Sequence, residues 1–213
     1  MKQDSITAAG LIDTFLLLLI GVGPKLALVP FLEITGPLDA QTRSRVRAKM
    51  LRTAAVTAFV LVLLGEFLRR LLHFTIDALS IAGGVILLVL SIQMVIGRSE
   101  AAEHEIQGKD PMDLALVPLA VPDLLNPVGI VGLVTISAEA GSLSVLGAEI
   151  LILALVLLID VGVFRWAGRV SDRFDENRML ITEKVFGFLI AAIAVQLVLD
   201  GLSSAGIIDV VPH

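Results

Sequence analysis

Six long apolar segments, residues 7–34, 50–71, 76–97, 112–138, 145–165 and 180–203, take up most of this 213-residue chain. Each is near or above the ~20 residues that carry a helix through a bilayer. A backbone surrounded by hydrocarbon must satisfy its own hydrogen bonds. Barrel strands that do so read as ~10-residue alternating stretches. Continuous runs such as Ala58 to Leu64 and Leu151 to Ile159 therefore predict helices, and the expected fold is an all-α polytopic membrane protein of six transmembrane helices. With 56% apolar and 17% charged residues and a mean hydropathy of +0.93, a soluble domain, a disordered chain and a fibrous repeat are all excluded.

The first segment is expected to be a retained span. Asp4 and Asp13 are unsuited to a cleaved leader, and no Ala-x-Ala site follows its apolar core. Orientation follows from the basic residues. Twelve of the 16 lie in the loops after segments one, three and five: Arg43, Arg45, Arg47, Lys49, Arg52, Arg98, Lys109, Arg165, Arg169, Arg173, Arg178 and Lys184. The other side has Lys2, Arg69 and Arg70. Cytoplasmic loops collect Lys and Arg, so these loops are expected inside and both termini outside.

The sequence also carries a weak internal repeat. An offset of 103 residues places Pro24 on Pro127, Gly84 on Gly187, Gln93 on Gln196 and Val95 on Val198. Three spans per half would turn the second half upside down relative to the first. Residues 1–97 and 112–213 are thus expected to be inverted three-helix repeats joined by a cytoplasmic linker, 98–111. Secondary transporters with this construction place the solute near the bilayer midplane at the repeat interface.

Spans one and four are expected to be discontinuous. The first contains Gly21, Gly23 and Pro24; the fourth contains Pro118, Pro122, Asn126, Pro127 and Gly129. Proline removes a backbone donor, and glycine permits unusual dihedrals. The groups freed by such breaks are tolerated only against protein or a water-filled cavity. Two charges accompany them. Lys25 directly follows the first break and Asp123 slightly precedes the second. Charges this deep usually face a partner or the bundle interior, so Lys25 and Asp123 are a candidate ion pair. The expected substrate site comprises Gly23, Pro24, Lys25, Asp123, Asn126, Pro127 and Gly129, with the amides near Pro127 holding a carboxylate. Asp123 and Asp160 are the candidate coupling residues, Asp160 having a pair with Arg165 as its alternative. Glu66 is expected to pair with Arg69 or Arg70 at helical spacing, and Gln93 and Gln196 to bond between helices.

Other chemistries lack support. The chain has no Cys and no Tyr, which removes disulfides, thiolate metal sites and cysteine nucleophiles. His73, His104 and His213 fall on different membrane faces and have no metal-binding spacing. No cofactor or nucleic-acid partner is expected; the partners are a small solute and the bilayer. An intramembrane enzyme using Asp123, Asp160 or His73 is a competing class, but no acid–base pair shares a helix face. A scaffold whose kinks serve only packing is another.

Several stretches resemble the MarC family of bacterial inner-membrane proteins, within the wider LysE-type transporter superfamily. They are residues 30–35 (PFLEIT), Gly65-Glu66-Phe67, Ile81-Ala82-Gly83-Gly84, Ile92-Gln93-Met94 and residues 116–122 (LVPLAVP). The resemblance covers nearly the whole chain. It implies six spans in a three-plus-three inverted repeat, in a cell inner membrane, and transport of small neutral amino acids; with the repeat and the breaks, the expected function is a secondary transporter that exports such amino acids or related metabolites by alternating access. It does not imply an enzyme. The chain departs from the family pattern in having Gly23-Pro24-Lys25 in span one and Asn126-Pro127-Val128-Gly129 in span four. The two elements look exchanged, and Lys25 and Asp123 are additional charges.

Overall fold

A computed structural model describes residues 8–97, 108–170 and 176–208. His104, His213, Lys2 and most of the expected linker lie outside the described residues. The described residues form helices and the turns that join them, and Val22 and Leu125 form an isolated bridge. The helices are α1 (Ala8–Gly21), α2 (Pro24–Thr35), α3 (Ala40–Leu72), α4 (Ile76–Ile96), the short α5 (Pro111–Leu114), α6 (Pro127–Glu139), α7 (Leu143–Val170) and α8 (Glu176–Ser204). A π-helical turn, Leu119–Leu124, precedes α6.

Four of these helices, α3, α4, α7 and α8, are long and apolar enough to cross a membrane. The first and fourth expected spans are each divided. α1 and α2 have 14 and 12 residues, about 21 and 18 Å at 1.5 Å per residue, so neither alone crosses ~30 Å of hydrocarbon. The cause is local. Pro24 has no amide to continue α1, and its fixed φ suits the first position of a new helix. Pro127 occupies the same position in α6. Ahead of it the chain runs through Pro118 and Pro122, both preceded by cis peptide bonds, and reaches extended backbone at Leu125.

Capping fixes the long helices. Asp39 Oδ1 accepts from the amides of Gln41 and Thr42 at 2.9 and 3.0 Å to start α3, and Thr75 Oγ1 accepts from Ala78 N at 3.1 Å to start α4. α4 and α8 then pack closely. Gly84 lies against Ala194 and Val198, while Gly187 lies against Ser91 and Val95. α3 packs on α6 and α7, with Gly65 against Val134 and with Glu66 N donating to Ser137 Oγ at 3.0 Å. The fully buried core joins Leu18, Phe31, Met50, Leu124, Leu133 and Phe164 from the broken and long helices alike. Val56, Val60, Leu63 and Phe67 of α3 and Val85, Ile86 and Val89 of α4 remain exposed. Such apolar outer faces suit contact with lipid.

Two expectations about polar pairs meet the structure differently. Glu66 does pair with Arg69, at 2.6 and 2.9 Å, and with Arg70 at 2.5 Å. Gln196 bonds within its own helix, to Asp200 Oδ1 at 2.7 Å, and both Gln93 and Gln196 are exposed. Neither glutamine lies on the face where α4 meets α8, which is why no bond between helices forms at Gln196.

Candidate functional site: two helix breaks in contact

The two interruptions meet. Val22 and Leu125 form an antiparallel bridge, and the Asn126 amide donates to Gly21 O at 3.0 Å. The carbonyls and amides released by proline in one helix are thus partly used by the other. Gly21 and Gly129 make the approach possible. A Cβ on Gly21 would collide with the Gly129 backbone, and one on Gly129 with Gly21 O. Only glycine lets two main chains come this close.

Asn126 is the clasp of the junction. Its Oδ1 accepts from Gly129 N at 3.2 Å, capping α6, and its Nδ2 donates to Ile20 O at 2.8 Å, holding the end of α1. It is 3% exposed, and this pattern satisfies its amide from both sides. At the α6 end Pro127 has no amide and Asn126 takes that of Gly129, so one first-turn donor of the expected anion site is occupied. A second helix N-terminus at the junction is that of α2. Its N-cap is Gly23, extended at φ −140° and ψ 165°, with no side-chain cap. Pro24 and Lys25 form the first turn there, both half-buried. A helix N-terminus beside a cation attracts anionic groups.

Asp123 lies in the π turn and is 7% exposed. The antiparallel register puts it on the same flank of the Val22–Leu125 bridge as Lys25. Even so, Lys25 forms no direct salt bridge among the described residues. Asp123 is held within a buried turn, whereas Lys25 is only half-enclosed at the α2 end.

Asp160 is completely buried in α7, and neither carboxylate oxygen has a hydrogen-bond partner among the described residues. The alternative pair with Arg165 does not form; that arginine is exposed. One helical turn beyond Asp160, Phe164 meets Phe31 of α2 edge-on, with ring centroids 5.2 Å apart at 76°. A carboxyl with no donor aimed at it carries charge at high cost unless a proton or cation joins it. This places a titratable side chain in the packing between α7 and α2, the helix that begins at Pro24.

Sequence reasoning missed two parts of this region. Arg43 entered only as a charge, yet its guanidinium donates to the carbonyls of Thr35, Gly36, Leu38 and Gly168 at 3.0–3.3 Å, binding the α2–α3 turn to α7. The second is a cavity of about 280 Å³ between α1, α6 and α7. Among the described residues no group of His, Cys, Asp or Glu is arranged to hold a metal ion.

A family model described as MarC family integral membrane protein matches residues 9–206. A UPF0056 membrane protein of Methanocaldococcus jannaschii is 32% identical over 191 residues, which cover 86% of this chain and 91% of that protein. The UPF0056 membrane protein YhcE of Escherichia coli is 22% identical over 185 residues, covering 85% and 86%. YvbG of Bacillus subtilis, also described as a UPF0056 membrane protein, is 23% identical over 182 residues, covering 81% and 84%. No solved structure matches the chain.

Proposed function

The chain belongs to the MarC family of integral membrane proteins, and from that premise we propose that it is a secondary transporter that exports small neutral amino acids or related metabolites by alternating access. The observation that carries this reading is the contact between two broken helices, Val22 against Leu125 with Asn126 N on Gly21 O. Paired breaks in membrane helices supply polar backbone at a depth where only a binding site or a protein contact tolerates it.

The same reading takes the fold as six spans in two inverted repeats, with α1–α2 and the 112–139 region each acting as one broken span. Exchange of the halves by 103 positions supports it. The exchange carries Val22 onto Leu125, and these two bridge each other. It carries Gly84, Ser91 and Val95 onto Gly187, Ala194 and Val198, and each glycine packs against the other half's counterparts. Reciprocal contacts of this kind are what a two-fold axis generates.

Within this mechanism the α2 end and Lys25 bind the solute carboxylate, Asn126 and Gly129 hold the two breaks in register, and Asp123 and Asp160 take up the coupling proton. The protein sits in the inner membrane with both termini outside, and it performs no bond chemistry of its own. Counterflow of labelled glycine and alanine in proteoliposomes tests the reading. Saturable exchange is expected, and Lys25→Met should weaken solute affinity about tenfold or more, the scale of a lost hydrogen bond to a charged group. Reconstituted, folded protein that exchanges no amino acid would falsify it.

A further inference from the structure

α1 and α6 touch at Gly21 and Gly129 and separate toward the ends that carry Asp13 and Glu139. One turn out from the contact, Leu17 rests on Gly132, where an added Cβ would stand 3.1 Å from Leu17 Cδ2. Beyond that layer lies the cavity of about 280 Å³, walled by Asp13, Thr14, Thr135, Glu139 and Glu149. Its size is near the ~300 Å³ lower bound of ligand pockets. Polar walls on otherwise apolar membrane helices are tolerated where they line water or protein.

Side chains tie separate elements at both ends, Ser137 Oγ accepting from Glu66 N near the cavity, but the two ends differ in charge. At the basic end Arg43 donates to Gly168 O at 3.0 Å, and Lys49 Nζ donates to Met112 O at 2.7 Å, so side chains join separate elements there. At the other end the cavity walls contain no Lys or Arg among the described residues. Glu139 lies close enough to Glu149 to repel it, and Glu149 Oε2 is buried with no hydrogen-bond partner among the described residues. A concave site lined by one sign of charge concentrates the opposite sign.

We propose that this cavity is the outer vestibule of the transport path, admitting solutes that bear a protonated amine, and that Leu17 seated on Gly132 is the thin barrier between it and the paired breaks. The inference deepens the transporter reading and rests on it for the direction of the path. It assigns this structure to the state closed on its basic face, with the hydrogen bonds of Arg43 and Lys49 as the contacts that must open for the solute to leave on the other side.

The chain contains no cysteine, so an introduced thiol is its sole target for thiol reagents. Thr135→Cys and Thr14→Cys, on facing walls, are exposed in intact cells to membrane-impermeant methanethiosulfonates bearing either trimethylammonium or sulfonate groups. Ser142→Cys in the adjacent exposed turn serves as the accessible control. The cationic reagent should label both wall positions about tenfold faster than the anionic one, within the range for electrostatic focusing. Glu139→Gln with Asp13→Asn should reduce that preference. Leu17→Ala should make Val22→Cys, fully buried in the parent, react several-fold faster from outside. Silence at both wall positions while Ser142→Cys reacts, or no charge preference, overturns the vestibule. Unchanged reactivity of Val22→Cys overturns the barrier. Labelling as expected without amino acid exchange in proteoliposomes would leave the charged cavity standing and overturn the transporter reading instead.

Discussion

Asp160 and Asn126 show how differently two buried polar side chains can be used. Asn126 has every polar atom engaged, its two nitrogens across the junction and its two oxygens within α6, so Asn126→Ala removes a helix cap and a tie between breaks. The cap alone is worth about 1 kcal/mol, and the loss should appear as a lowered melting temperature in detergent. Asp160 has no donor at either oxygen among the described residues. Asp160→Leu is therefore expected to leave stability unchanged or to raise it by about 1–3 kcal/mol, the cost of a buried unsatisfied polar group. If the side chain carries the coupling proton, the same variant loses the pH dependence of exchange. A destabilised Asp160→Leu would argue against a carboxyl kept for function. Outside the membrane, Asp39 is held below the usual carboxylate range, first by the Thr42 hydrogen bond. A depressed value means that its cap contributes fully above about pH 3.9 and is lost as pH falls through the lowered value. Asp39→Ala should remove that acid-side dependence. At this scale the sequence marked Asn126, Lys25 and Asp160 because their residue types are costly in apolar segments. Which atoms they bond was not legible, since Ile20 is 106 positions from Asn126 along the chain.

The broken helices were legible as elements because proline acts on its own backbone. Pro24 and Pro127 each begin a helix where the residue order says one must begin. The interruption before α6 is longer than one proline explains, and its π turn and extended Leu125 follow from several prolines in succession. The Gly21–Gly129 contact was not legible. Both glycines stood in the sequence, but so did Gly147 and Gly162 in α7, where a Cβ would meet nothing within 4 Å. These two classes predict opposite outcomes. Gly129→Val must force two backbones apart and should cost about 3 kcal/mol or more, at or beyond the upper end of ordinary overpacking. Gly162→Ala should be neutral, or stabilise its helix by about 0.5–1 kcal/mol. Thermal melts of the two variants against the parent measure the difference. A Gly129→Val protein as stable as the parent would mean that the breaks do not touch.

For the whole molecule, the charge asymmetry predicts which face is cytoplasmic. Arg45→Cys should be labelled only after cells are permeabilised and Ser142→Cys in intact cells, both positions being exposed; the reverse pattern would invert the assignment. The residue order alone determined that this chain is helical, apolar on its outer faces and interrupted at two points, because propensity, hydropathy and proline chemistry act within a few positions. Tertiary structure alone decided that the interruptions bridge each other, that Asn126 closes one helix end while the end at Lys25 has no side-chain cap, that Lys25 and Asp123 make no direct salt bridge, and that a polar cavity opens between α1, α6 and α7. Those outcomes depend on distances between segments about a hundred residues apart. Such distances are set when close-packed helices settle against one another, and no local preference of the chain encodes them.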